Sequence, residues 1–223
     1  YAAMKTWTSN WSVFPYSFDE LVSAFWDRYP NSFANHVISE DVLERTITSD
    51  KIVTRKLIVK QGNSILKRVP RWLSRMTEIR EVPTLEESVY DRNTHTLTTY
   101  TRNVSNCSLF HMHERCVYRP TFDSPLLSGR LLLMTYSSSQ VNSGKMSSVY
   151  ENVMLLGFKK SVTGTIKGLT EKLEERYGHR SLSSMAEKHK LSVKLVEKLK
   201  ELKVLLDNST ERASNLVGGK MSS

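Results

Sequence analysis

Three runs rich in β-branched and aromatic residues, 76–90, 94–104 and 107–118, follow one another with only Asp91-Arg92-Asn93 and Asn103 to Asn106 between them. Turns this short constrain the fold more than any other feature, because parallel neighbours need a crossover of a dozen or more residues. The centre of the chain is therefore expected to be one antiparallel sheet. A further run covers 129–137. Upstream, period-two patterns pass from His36, Ile38, Val42, Leu43 and Ile47 to Ile52, Val53, Leu57 and Val59, with Asp50 at the turn. A short apolar-aromatic strand around 5–14 adds one more.

Helical signals flank this meander. Ser17-Phe18-Asp19-Glu20 has the form of a capping box, in which the first and last side chains satisfy each other's free backbone amides. Phe18, Leu21, Val22, Phe25 and Trp26 follow at helical spacing, and Tyr29-Pro30-Asn31 ends the pattern. Near residue 146 a long helix is expected, because Val149, Val153, Val162, Ile166, Leu169 and Leu173 recur mainly at three- and four-residue steps. Gly157, Gly164 and Gly168 each weaken it by about 1 kcal/mol relative to Ala, unless something must approach closely there. Tyr177-Gly178-His179 breaks it. Leu191, Leu195, Leu199, Leu202 and Leu206 form the stripe of a second helix that either docks on the domain or pairs with another chain. The fold class is α+β, an antiparallel sheet of about seven strands with a long C-terminal helix.

With 39% apolar and 25% charged residues, the 223-residue chain is expected to be a folded protein rather than a disordered or collagen-like one. No apolar run approaches the roughly 20 residues of a membrane-spanning helix. A secretory route is not expected, since Trp7, Asn10 and Trp11 interrupt any apolar segment at the N-terminus. The net charge of +9 favours phosphate-bearing partners, either nucleic acid or an anionic membrane. Catalysis finds little support. There is no Gly-x-Ser-x-Gly elbow and no His-Glu-x-x-His helix, and adjacent Glu86 and Glu87 point to opposite faces of a strand. Cys107, His111, His113 and Cys116 have the residue types of a zinc site, yet strand alternation places Cys116 on the face opposite the other three. No metal and no cofactor is expected. The two Gly-Lys-Met-Ser-Ser copies lack the spacing of a phosphate-binding loop.

The segment 60–75 mixes apolar and basic side chains. Ile65, Leu66, Val69 and Trp72 suit the acyl boundary of a membrane, while Lys67, Arg68 and Arg71 suit headgroup phosphates. A surface loop anchored to the core and a nucleic-acid groove remain as other readings of the same residues.

Several motifs in register then resemble one family. Met4-Lys-Thr-Trp7, Ala24 to Asn31 with its Arg28-Tyr-Pro-Asn31, His36 to Leu43, Thr99 to Asn103, His113 to Tyr118, and Lys159 to Gly168 are similar to the PRELI-like lipid transfer proteins of the mitochondrial intermembrane space. The resemblance covers about residues 4–177 and leaves 178–223 as a helical C-terminal extension. It implies a sheet curved around the long helix, enclosing a lipid cavity, with a lid loop over Gln61 to Trp72. The implied activity is non-enzymatic transfer of phosphatidic acid between mitochondrial membranes in support of cardiolipin synthesis; the phosphatidylserine branch of the family is the alternative. A basic module without a cavity, docking on RNA or a membrane surface, is the reading from another class. Implied partners are the phospholipid, a transient anionic membrane surface and a small twin Cx9C helical protein, with no nucleic acid. The resemblance places a phosphate-binding arginine at Arg28, with His36 and Lys60 as companions deep in the cavity. An arginine fork suits phosphate because it donates two parallel charge-assisted bonds. Relatives carry basic residues near the positions of Gly157 and Gly164, and Lys160 and Lys167 are expected to substitute for them. Arg28 follows the last apolar residue of its helix, so it is expected to add little to the core.

Overall fold

The computed structural model describes residues 5–61, 80–107, 110–138 and 144–218, and the chain divides into two units, Tyr1–Arg180 and Ser181–Ser223. In the first unit β1 (Lys5–Thr8), β2 (Ser12–Phe14) and α1 (Phe18–Trp26) precede six long strands. These are β3 (Val37–Ile47), β4 (Lys51–Gln61), β5 (Glu81–Asp91), β6 (Thr96–Asn103), β7 (Phe110–Pro120) and β8 (Ser128–Ser138), followed by α2 (Gly144–Tyr177). The second unit holds α3 (Leu182–Gly218), on which Leu191, Leu195 and Leu199 of the leucine stripe are exposed.

All strand pairs are antiparallel, in the order β1-β8-β7-β6-β5-β4-β3 with β2 also on β8. The sheet has eight strands rather than about seven, because the 5–14 segment breaks into two. Ser9 sits at the break, its amide donating to the Leu132 carbonyl and its hydroxyl accepting from the Leu132 amide. The β3–β4, β5–β6 and β7–β8 hairpins close at one end of the sheet. At β3, an exposed edge, two register shifts and the charged run Glu40, Asp41, Glu44 and Arg45 discourage pairing with another chain.

Both helices of the first unit cover one face of the sheet. The capping box forms as the sequence predicts: Ser17 Oγ accepts from the Glu20 amide, and Glu20 Oε2 accepts from the Ser17 amide at 2.9 Å. Glu20 also receives both terminal nitrogens of Arg180, at 2.9 and 3.0 Å, so one side chain ties the start of α1 to the segment after α2. Gly178, at φ 78°, ends α2 in the left-handed conformation that glycine adopts without a Cβ penalty, and its carbonyl accepts from the Tyr16 hydroxyl at 2.8 Å. Leu21, Val22 and Phe25 of α1 and Phe158, Val162, Leu169 and Leu173 of α2 meet Leu97, Tyr118, Leu132 and Met134 in the apolar core. At about 25 cal/mol per Å² of apolar area, this half of the inner face supplies most of the favourable term in folding.

The glycines of α2 find part of their reason in the loop after α1. A Cβ on Gly168 would overlap the side chain of Asn31, and one on Gly164 would meet the Phe33 carbonyl at 3.4 Å. Asn31 is held in place, donating to the Arg28 carbonyl at 2.7 Å and accepting from the Phe33 amide at 3.0 Å. An exposed helical glycine gains about 1 kcal/mol on replacement by Ala. For Gly168→Ala the expected outcome is instead a loss of about 1 kcal/mol, since displacing Asn31 breaks two hydrogen bonds each worth about that much. Denaturant unfolding measures this. A stabilised Gly168→Ala protein would show that Asn31 yields freely.

Candidate anion site on the inner face of the sheet

The inner face is divided. Under α1 and α2 it is apolar, whereas on β4, β5 and β6 the buried side chains are largely polar: Thr54, Lys56, Thr84, Glu86, Ser88, Thr99, Thr101 and Asn103. Cross-strand register aligns Lys56 with Glu86, Glu86 with Thr101, and Thr101 with Glu114, so one row of polar groups crosses four strands. The Thr84 hydroxyl donates to the Ile58 carbonyl at 2.8 Å and the Ser88 hydroxyl to the Thr54 carbonyl at 3.3 Å, which satisfies the neutral members within the sheet.

Arg28 enters this row from the end of α1. It is 4% exposed, against the expectation that it adds little to the core. Its Nη2 donates to both oxygens of Glu86, each at 2.7 Å, Nη1 donates to the Phe25 carbonyl, and the guanidinium lies 4.2 Å from the Phe25 ring centre. Glu86 and Glu40 hold its pKa above the usual arginine range despite the opposing effect of desolvation. Lys56 bonds Glu40 at 2.9 Å beside it. Sequence reasoning missed Glu40, Lys56 and Glu86 as partners because they are remote from Arg28 in the chain, Glu86 by 58 residues. The available signal was the alternation that makes Lys56 and Glu86 face the same side as Ile58 and Ser88.

His36 and Lys60 are adjacent, although both are half-buried rather than deep. Lys60 is the register partner of Val37, and the Gln61 amide donates to the His36 carbonyl at 2.6 Å. Burial first, and the Lys60 charge second, lower the His36 pKa. Lys60 stands four residues beyond Lys56 on the same face of β4, about 13 Å along the strand. Its charge reaches Glu114, whose carboxyl is pushed up by burial and pulled down by Lys60 and Arg130. Lys160 and Lys167 do not join these groups. Both are exposed on α2, and Lys167 lies 5.6 Å from the Phe33 ring. Helical geometry explains their exposure: α2 turns Phe158, Val162, Leu169 and Leu173 inward. Ile65, Leu66, Lys67, Arg68, Val69, Arg71 and Trp72 lie outside the described residues.

One buried cation went unnoticed in the sequence. Arg130 on β8 is 3% exposed, its Nε donates to the Tyr118 hydroxyl at 3.2 Å, and its Nη1 has no hydrogen-bond partner. Among the described residues the buried and half-buried charged side chains of the inner face are Arg28, Lys56, Lys60 and Arg130 against Glu40, Glu86 and Glu114, four cations facing three carboxyls. Such a surplus suits an anion. Among the described residues no three His, Cys, Asp or Glu side chains converge as a metal site requires. The outer face of the same strands forms an open groove of about 650 Å³, where Arg55 pairs with Glu44 and Glu87 in solvent.

An antiparallel sheet closed on one face by a long helix defines a helix-grip protein. The likeness to solved structures agrees at the level of fold: TTHA0849 from Thermus thermophilus superposes with a TM-score of 0.51 at 15% identity, over 78% of this chain and 99% of that one. The ZhuI aromatase/cyclase from Streptomyces superposes with a TM-score of 0.50 at 9% identity, over 79% of this chain and all of that one. Within that class the chain belongs to the PRELI-like family, whose model matches residues 19–179. It is 33% identical over 180 residues to bovine PRELI domain-containing protein 1, mitochondrial, covering 79% of this chain and 78% of the relative. It is 30% identical over 168 residues to protein UPS1, mitochondrial, of Saccharomyces cerevisiae, covering 73% and 91%.

The Arg28–Glu86 pair makes a clear energetic prediction. Leaving one member of a buried pair without the other costs roughly 3–5 kcal/mol, because the remaining charge keeps its desolvation penalty without its partner. Glu86→Ala is therefore expected to destabilise by that amount in urea, and Arg28→Met combined with Glu86→Leu by less than either single change. Arg28→Glu is expected to unfold the domain rather than leave it intact, since it sets two carboxylates side by side in the interior. A folded Arg28→Glu protein of normal stability would contradict this pairing.

Proposed function

We propose that the chain is a phospholipid carrier that extracts phosphatidic acid from one mitochondrial membrane and releases it at another across the intermembrane space, in support of cardiolipin synthesis. The observation that carries this reading is the polar half of the inner face, with its surplus of cations and a buried guanidinium short of a partner. A diacyl anion needs both an apolar wall and interior positive charge, and this inner face offers both at once. Membership of the PRELI-like family and relatives named mitochondrial support the compartment.

In this reading residues 4–177 form the transfer domain and 178–223 an appended helical extension. Ile65, Leu66, Val69 and Trp72 enter the acyl boundary while Lys67, Arg68 and Arg71 meet headgroups, and a small twin Cx9C helical protein stabilises the carrier. The chain is a carrier and not an enzyme, because binding and release suffice for the task. His36 and Lys60 line the path of the headgroup.

Native mass spectrometry of the bacterially expressed protein is expected to show one retained phospholipid per chain. Transfer between vesicles is expected to require phosphatidic acid in the donor and to slow when Trp72→Ala is introduced, with lipid occupancy nearly unchanged. A chain that holds no lipid and binds RNA instead would overturn the reading.

A further inference from the structure

Helix α3 carries its leucines in solvent. Leu191, Leu195 and Leu199 are 66%, 61% and 57% exposed. At about 100° per residue the three fall within about 80° of one another, and the sequence continues their spacing through Leu202 and Leu206. Helices in water owe most of their stability to an apolar face packed on something, so such a stripe marks a missing partner. The charges around it say which one. Over residues 188–203 six exposed lysines accompany two exposed glutamates. Lys198 and Lys203 border the stripe on its two sides, whereas Glu197 and Glu201 lie more than about 100° from its centre. A second copy fits this pattern poorly. A coiled coil needs apolar a and d positions over at least three heptads, and in the register of Leu195, Leu199 and Leu202 those positions fall on Ser192 and Lys188 one heptad earlier. In a parallel pair Lys198 of one copy would also meet Lys203 of the other. Nucleic acid would engage the lysines and leave the leucines wet. An anionic bilayer surface takes both, because leucines enter the acyl boundary while lysine stems lie along it and their ammonium groups reach the headgroups. No helix among the described residues is long and apolar enough to cross a membrane, so α3 would lie along the surface.

We propose that α3 is a membrane-surface helix that docks on an anionic bilayer through Leu191, Leu195 and Leu199, with Lys198 and Lys203 at the headgroups. This contact is separate from the one assigned to residues 65–72 and does not depend on what the first unit carries. Its two components act at different range. The lysine charges draw the helix to a negative surface and are screened by salt, while the leucines hold it there by apolar burial.

The test uses the full chain and two variants, Leu195→Gln with Leu199→Gln, and Lys198→Glu with Lys203→Glu. All four positions are exposed, and Gln and Glu are good helix formers, so circular dichroism in buffer is expected to be unchanged. Binding is read by flotation with phosphatidylcholine vesicles, with and without phosphatidylserine. The wild type is expected to float with the anionic vesicles and to be released in part by high salt. Each variant is expected to lose about tenfold in apparent affinity for them, and the lysine variant to lose its salt dependence as well. If the glutamine variant does not fold, the lysine variant decides. Wild-type protein that ignores anionic vesicles, or folded variants that float as well as it does, would overturn the proposal. So would a wild-type dimer that the glutamine variant converts to a monomer with flotation unchanged, which would give the stripe to a second copy. Retained phospholipid is expected to be equal in all three proteins; its loss in the glutamine variant would show that the stripe covers the carrier instead of a membrane, and would overturn the proposal too. Absence of phospholipid from every protein would defeat the carrier reading alone, and flotation would still judge α3.

Discussion

The bond between Arg28 and Glu86 joins the end of α1 to the middle of β5, and much of the interior is arranged around it. A guanidinium and a carboxylate placed out of water each incur several kcal/mol of desolvation, which their attraction offsets only with good geometry and further hydrogen bonds. Here Glu86 offers both oxygens at 2.7 Å, the Phe25 carbonyl accepts from Nη1, and aromatic faces of Phe25 and Tyr29 cover the cation. Glu40 stands 3.9 Å away and is itself held by Lys56. The polar half of the inner face follows from this arrangement, because neighbouring strands must present groups that tolerate a charged row.

That division separates the tasks of stability and binding. The apolar half, closed by α1 and α2, holds the fold and is fastened at its rim by Glu20 with Arg180, Asp27 with Arg176, and Tyr16 with Gly178. Those rim contacts fix how the helices lie on the sheet. The polar half supplies the charge that a headgroup would meet, and Arg130 and Tyr118 sit where the two halves join. A ligand with an anionic head and apolar chains is complementary to such a boundary.

Local elements were legible in the sequence because local chemistry decides them. The capping box at Ser17 and Glu20, the Asp50 and Asp91 turns, and the break at Gly178 all appear where spacing and residue type put them. The site was legible in part. Arg28 was singled out by resemblance, but its burial and its partner were not, since Glu86 is 58 residues away and only the folded register brings it near. Arg130 was passed over because it opens an apolar run, although its two-residue spacing from buried Leu132 and Met134 places it on the inner face. Lys160 and Lys167 were expected beside Arg28 and instead lie exposed on α2. Counting from Phe158 and Val162 at about 100° per residue would have turned them toward solvent.

The central claim is that an anionic headgroup resides in the interior rather than on the basic surface. Phosphorus NMR of the protein loaded with phosphatidic acid, with a paramagnetic cation such as Mn²⁺ added to the solvent, tests it most directly. The account predicts one phosphorus signal of protein-bound lipid that resists broadening by the cation, while vesicle lipid in the same buffer broadens fully. A bound-lipid signal that broadens as readily as that of vesicles would place the phosphate at the surface and contradict the account.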